Sequence, residues 1–417
     1  MLEGKTMSLN ESPSSVRVHI ALFGRRNAGK SSIINAITGQ NIAIVSDVEG
    51  TTTDPVYKSM EILPIGPCVI IDTAGLGDES QLGELRCEKT MDVLNKTDIS
   101  LLVIDSTAGI TDYDKYIMKQ INDKKLPVVL VLNKIDISNI NNDYINNIKK
   151  EFNVPVVSVS AVTSEGIKEL KNQIINVLPK DEGKFKIIGD LIKPEDFVVL
   201  VTPIDKAAPK GRLILPQQQT IRDILESDAV AVVTKEYELR ETLESLSKKP
   251  KIVVTDSQAF SKVAADTPKD ILMTSFSILF ARYKGDLVEL IKGVKAVEKL
   301  KDGDKVLIAE GCTHHRQSDD IGTVKIPRWI RQITGKKIDF EFSSGVSFTN
   351  DIKKYALIVH CGGCMLNRSS MVYRINTAKE FNVPIVNYGI LIAYVQGILD
   401  RALKPFPLAK MIWDEQN

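Results

Sequence analysis

Residues 24–32 read GRRNAGKSS and lie between an apolar run, VRVHIALF (16–23), and an amphipathic stretch, SSIINAIT (31–38). This is G-x-x-x-x-G-K-S in the setting that gives the pattern meaning, after a strand and at the start of a helix. It constrains the fold more than any other feature of the chain. Backbone N–H groups of such a loop converge on an anion at a helix N-terminus, so the strand belongs in a sheet with the helix packed on its face. Gly24 and Gly29 let the backbone wrap closely, Lys30 neutralises charge on the β- and γ-phosphates, and the Ser31 hydroxyl is placed to ligate Mg2+. Asn27, Ala28 and Ser32 complete the cofactor-binding loop. Taken by itself the motif has an alternative, a glycine-rich turn with a chance lysine.

Three further motifs follow in order, each at the end of an apolar run. DTAG (72–75) closes CVIIDTAG: Asp72 is set to hold Mg2+ through water, and the Gly75 N–H to meet the γ-phosphate. NKID (133–136) closes PVVLVLNK and spans Asn133, Lys134 and Asp136. Asp136 accepts from two guanine N–H groups and Asn133 bonds the ring. Such a site rejects adenine because its own polar groups would go unpaired. Ser160 and Ala161 follow VVSV (156–159), and backbone N–H groups there can reach the guanine oxygen. Four motifs in this order, each at a strand end, leave no room for the chance reading.

On these residues the segment 16–180 resembles the translation-factor-related GTPases, close to the tRNA-modification, Era-like and Der-like GTPases. The resemblance implies GTP with Mg2+ as cofactors and hydrolysis centred on Lys30, Thr52, Asp72 and Gly75. Thr52, within GTTTD (50–54), is the expected switch ligand to Mg2+, with Thr51 and Thr53 as neighbours one position away. Asn27 matches an asparagine that helps hold potassium against the phosphates; the alternative is that it only stabilises the loop turn. Leu76 stands where Ras-like enzymes place a water-orienting glutamine, which implies slow, switch-like hydrolysis. Glu84 is a candidate water contact or a solvated surface carboxylate.

The whole chain has 417 residues, more than one ordinary core accommodates. Strand and helix patterns alternate throughout. The expected organisation is a lead-in (1–15), a GTP-binding domain (16–180), a charged linker LPKDEGKFK (178–186), a middle domain (187–266) and a C-terminal domain (267–417). The expected fold class is α/β, with a doubly wound P-loop GTPase sheet followed by two further α/β domains with mostly parallel sheets. Residues 268–300 read as one long helical region. A net charge of +1 argues against a nucleic-acid partner, and no apolar run is long enough for a membrane span. With no apolar signal segment in MLEGKTMSLNESPSS, the expected location is cytoplasmic and the thiols reduced.

Five cysteines and four histidines are present, and three of each fall in two short stretches. VLIAEGCTHH (306–315) carries Cys312, His314 and His315; LIVHCGGCML (357–366) carries His360, Cys361 and Cys364. Both follow apolar runs, and ligands in open parallel sheets gather beyond the carboxyl ends of strands. Three thiolates suit a 4Fe–4S cluster with one distinct iron. Zinc held by Cys3His, a thioredoxin-like C-x-x-C redox pair and unrelated buried cysteines are the alternatives. Cys68 and Cys87 read as ordinary core thiols.

C-x-H, a gap of about 45 residues and H-C-x-x-C, downstream of this class of GTPase, resembles the HydF family of FeFe-hydrogenase maturation GTPases. That resemblance implies that Cys312, Cys361 and Cys364 hold the 4Fe–4S cluster, with His314 and His360 as candidate fourth ligands. It implies a scaffold that receives a di-iron unit from radical-SAM maturases and delivers it to apo FeFe-hydrogenase. It also implies dimerisation through the middle domain.

Overall fold

The computed structural model describes residues 14–39, 55–63, 65–73, 83–138, 141–178, 186–203, 213–311, 320–345, 348 and 351–415. The chain divides into two compact units, 1–180 and 181–417.

The first unit is built on six strands: β1 (Val18–Phe23), β2 (Val56–Ile62), β3 (Gly66–Asp72), β4 (Ile99–Asp105), β5 (Val128–Asn133) and β6 (Val156–Ser158). Their order is β2-β3-β1-β4-β5-β6, and only β2 runs antiparallel. Strands β1, β4 and β5 are apolar at nearly every position because helices cover both faces. Alternation then sends Ile20 and Leu22 into a core with Ile33, Ile34 and Ile37 on one face. Ala21 and Phe23 go to the opposite face with Ile117, Met118 and Ile121. The sheet is doubly wound, as the alternating pattern predicts.

The second unit contains two four-stranded parallel sheets. One has the order β10-β9-β7-β8, from β7 (Phe197–Val201), β8 (Val230–Thr234), β9 (Ile252–Thr255) and β10 (Leu272–Ser275). The other has the order β12-β11-β13-β14, from β11 (Lys305–Glu310), β12 (Asp339–Ser344), β13 (Leu357–His360) and β14 (Ile385–Asn387). A single apolar core runs through both, from Val198 and Val253 to Ile308 and Val359.

The expectation of one helical region over 268–300 is corrected here. Leu272–Ser275 is a strand paired in register with β9, so the second sheet continues beyond residue 266. Two helices follow, Phe276–Lys284 and Leu287–Val294. A four-residue apolar run between helical patterns has no periodicity to separate strand from helix, and its burial against β9 decides. The Ser275 side chain caps the first of these helices by accepting from the Ile278 N–H. That helix touches both sheets' surroundings: the Ser277 carbonyl accepts from Asn387 at the end of β14, and the Tyr283 carbonyl from Arg368. No described helix is long and apolar enough to cross a membrane.

Candidate nucleotide and metal sites

In the first unit, the loop after β1 leads into the helix Lys30–Thr38. Gly29 takes a φ of +90°, and a Cβ there would meet the Asn133 amide nitrogen at 2.1 Å. Only glycine satisfies both the backbone angle and the close approach. Lys30 is buried, and its Nζ donates to the carbonyls of Gly24 (2.7 Å) and Arg25 (2.8 Å). Burial pushes its pKa down to about 8, against the pull of Asp72 and Asp114. The Ser31 hydroxyl donates to Asp72 Oδ2 at 2.8 Å, so the two expected Mg2+-side groups from β3 and the loop already meet. Asn27 stands at a φ of +60°, a left-handed conformation asparagine tolerates well. Ala28 is buried, and Ser32 lies on the first turn of the helix.

The loops expected to read the base gather beside it. Asn133 ends β5, and its amide serves the protein at both ends: Nδ2 donates to the Ala28 carbonyl (2.9 Å), and Oδ1 accepts from the Ala161 N–H (3.1 Å). The residue expected to bond the ring is therefore also the brace that holds the phosphate loop and the Ser160–Ala161 turn together. Lys134, at a φ of +68°, pairs with Asp105 at 2.6 Å. Ser160 is fully buried, and its hydroxyl accepts from the Thr163 N–H. Asp136 is exposed, where a ligand can reach its carboxylate. Asp136→Asn is expected to weaken GTP binding about ten- to a hundredfold, the value of hydrogen bonds to a charged group, and to relax selectivity over xanthosine nucleotides. Competition binding of GTP, ATP and XTP measures this; unchanged GTP affinity would remove Asp136 from the guanine site. Thr52, Gly75 and Leu76 lie outside the described residues, as does the side chain of Glu84.

In the second unit, β11 and β13 are adjacent and parallel, with Ala309 opposite His360. The chain leaving β11 therefore runs beside the chain leaving β13. The Gly311 N–H donates to Cys361 Sγ at 3.1 Å, and the Gly363 N–H reaches the same sulfur at 3.4 Å. Gly363 has a φ of +60°, and a Cβ there would press on Met371 at 2.6 Å, so the turn between Cys361 and Cys364 requires glycine. Burial pushes the Cys361 thiol up, and the two N–H donors pull it back towards the thiolate. Glu310, the last residue of β11, is buried and accepts from the Tyr388 hydroxyl at 3.3 Å. Cys312, next after Gly311, lies outside the described residues, as do His314 and His315. Among the described residues no three metal-ligating side chains converge.

His360 is placed differently from its expected role as a candidate fourth ligand. It is fully buried, its Nδ1 lies 2.7 Å from the Cys361 carbonyl, and its Nε2 lies 2.7 Å from Arg374 Nη1. Nδ1–H donates to the carbonyl and Nε2 accepts from the guanidinium, so neither nitrogen offers a lone pair to a metal. Burial, and then the Arg374 charge, lower its pKa to about 3, which keeps it neutral. Arg374 is itself buried and also donates to the Gly345 carbonyl at 3.0 Å. Two groups near the cysteines carry no sequence signal: Arg374 and Lys284, whose Nζ donates to the Leu366 carbonyl at 2.8 Å. Both sit within helical patterns where a basic residue reads as surface.

Comparison with known proteins matches three separate segments of the chain. The model of the 50S ribosome-binding GTPase family matches residues 19–134. The hydrogen maturase F dimerization domain matches 187–285, and the hydrogen maturase F tetramerization domain matches 288–405. The divide at 285–288 falls after β10, beyond the expected boundary at 266. The tRNA modification GTPase MnmE of Desulforamulus reducens is 38% identical over 165 residues, 39% of this chain and 34% of that protein. GTPase Der of Wolinella succinogenes is 37% identical over 184 residues, 42% of this chain and 38% of that protein. GTPase Era of Rippkaea orientalis is 32% identical over 233 residues, 54% of this chain and 69% of that protein. The chain thus spans only about a third of the length of the MnmE and Der relatives it matches.

Proposed function

Since the chain belongs to the hydrogen maturase F family and opens with a GTPase domain of the MnmE, Der and Era kind, we propose that it is a GTP-controlled iron–sulfur scaffold and carrier. It receives a di-iron unit from radical-SAM maturases and delivers it to apo FeFe-hydrogenase in the cytoplasm. The observation that carries the cluster part is the Gly311 N–H to Cys361 Sγ contact of 3.1 Å. It joins two cysteine-bearing stretches some fifty residues apart at the carboxyl ends of adjacent parallel strands.

Cys361 and Cys364, with Cys312 following Gly311, would hold a 4Fe–4S cluster. Backbone N–H groups already directed at a cysteine sulfur favour its thiolate form, the form that ligates iron. When bound, such a cluster supplies one iron with an exchangeable fourth position, a docking point for the di-iron cargo. With both ring nitrogens of His360 engaged, the fourth ligand comes from elsewhere.

In the first unit, Lys30 holds the β/γ-phosphate charge, while Ser31 and Asp72 set the Mg2+ side. Asn27 holds a potassium ion against the phosphates, which offsets charge in the transition state as an arginine finger does. The chain acts as a homo-oligomer, at least a dimer. The edge strand β8 supports this: it exposes Val230 (40%) and Val233 (46%) and, among the described residues, pairs with β7 alone, within the segment that matches the dimerization domain.

The test is iron, sulfide and zinc content with an EPR spectrum, on protein reconstituted anaerobically and reduced with dithionite. About four irons and four sulfides per chain, with a reduced-cluster signal, is the expected result for a 4Fe–4S site. Stoichiometric zinc without iron would overturn the scaffold reading and leave a GTPase with a zinc domain.

A further inference from the structure

Lys284 belongs neither to the nucleotide site nor to the cysteines, yet it is 2% exposed and points at the turn that carries two of them. It is the last residue of the helix Phe276–Lys284, which follows the second sheet. Its Nζ donates to the carbonyls of Gly363 (3.3 Å), Cys364 (3.0 Å) and Leu366 (2.8 Å). Its other neighbour is the face of Phe280, with Nζ 5.7 Å from the ring centroid. An ammonium has three N–H donors and a neutral amine two, so three carbonyl acceptors match the charged form.

We infer that Lys284 is a positioning residue for the iron site: it clamps the Cys361–Leu366 turn by its carbonyls and places a buried positive charge beside Cys361 and Cys364. This rests on the cluster reading above. A cation withdrawn from water is costly unless a negative partner lies near. Among the described residues no carboxylate pairs with Lys284; burial lowers its pKa to about 8, and Cys364 and then Cys361 pull it back up. Three thiolates around a 4Fe–4S core leave a net negative charge, and reduction adds one more. A fixed cation beside the sulfurs therefore stabilises the reduced state more than the oxidised one, one of the levers by which proteins set cluster potentials. The same charge favours retention of any anionic iron unit brought to the site.

The experiment uses the full chain, with Lys284→Met and Lys284→Gln, each reconstituted anaerobically with iron and sulfide and checked for folding by circular dichroism. Met keeps the apolar stem; Gln also keeps donors for two of the carbonyls. Iron content is measured first, then the midpoint potential by EPR-monitored redox titration. The expected result is near wild-type iron and a lower potential in both variants. About a tenfold shift of the reduction equilibrium corresponds to about 59 mV for one electron. A variant with full iron and an unchanged potential overturns the inference. Loss of iron from both folded variants would overturn the role of its charge at the site and leave only its hold on the turn. Wild-type protein that binds no iron would instead defeat the cluster reading itself.

Discussion

Replacing Lys30 by alanine is expected to lower GTP hydrolysis by about two to three orders of magnitude, the usual cost of removing one preorganised group that faces developing charge. The ammonium is held ready at 2.7 Å and 2.8 Å from two loop carbonyls, inside a loop whose glycines admit no side chain to replace it. Steady-state phosphate release measures the loss, and circular dichroism shows whether the fold survives. Wild-type turnover in a folded Lys30→Ala chain would overturn the assignment of the phosphate loop. The same residue predicts a pH dependence. Burial lowers its pKa to about 8 in the protein alone, and bound phosphates raise it. Nucleotide binding therefore takes up a proton once the pH exceeds about 8, and GTP affinity is expected to fall as pH rises beyond that point. Isothermal titration in buffers of different ionisation enthalpy reads the proton uptake directly.

Cys361→Ser carries the second large effect. Cys361 is the cysteine sulfur that accepts from two backbone N–H groups, one from each of the two converging stretches. Serine puts a shorter, far less acidic hydroxyl in its place. Reconstituted iron is expected to fall from about four per chain to less than about one, with loss of the reduced-cluster signal. GTP turnover is expected to persist, because the mutation lies in the second compact unit. Retained iron would remove Cys361 from the site; lost hydrolysis would show that the two sites are coupled through the cysteine. His360→Gln serves as the contrast. Its ring nitrogens contact Arg374 and the Cys361 carbonyl rather than a metal, so iron is expected to remain.

The GTPase motifs were legible because each is short, contiguous and tied to a strand end. GRRNAGKSS, DTAG, NKID and Ser160–Ala161 carry their chemistry within a few residues. Local patterning was enough to place β1, β4 and β5 in a doubly wound sheet. It failed at β10, where four apolar residues fit a helix or a strand equally well and only pairing with β9 decides. That the chain leaving β11 runs beside the chain leaving β13 was legible at the level of topology, from the rule that parallel strands present ligands at their carboxyl ends.

What a histidine or lysine does was not legible. In the sequence, His360 stands next to a cysteine and reads as a metal ligand. In the fold its ring nitrogens meet the carbonyl of its neighbour and a buried guanidinium fourteen residues away. Asn133 reads as a base contact, and the fold adds a bracing role that reaches 105 residues back to Ala28. Lys284 reads as a helix-end surface lysine, and the fold buries it against carbonyls 79 to 82 residues away. The sequence by itself determined the strand–loop–helix of the phosphate site, the order of the guanine motifs and the residue types available for iron, because those rest on local spacing. Only the tertiary structure decided which lone pairs are already spent and where buried charge faces the cysteines, because hydrogen-bond partners and desolvation depend on segments far apart in the chain.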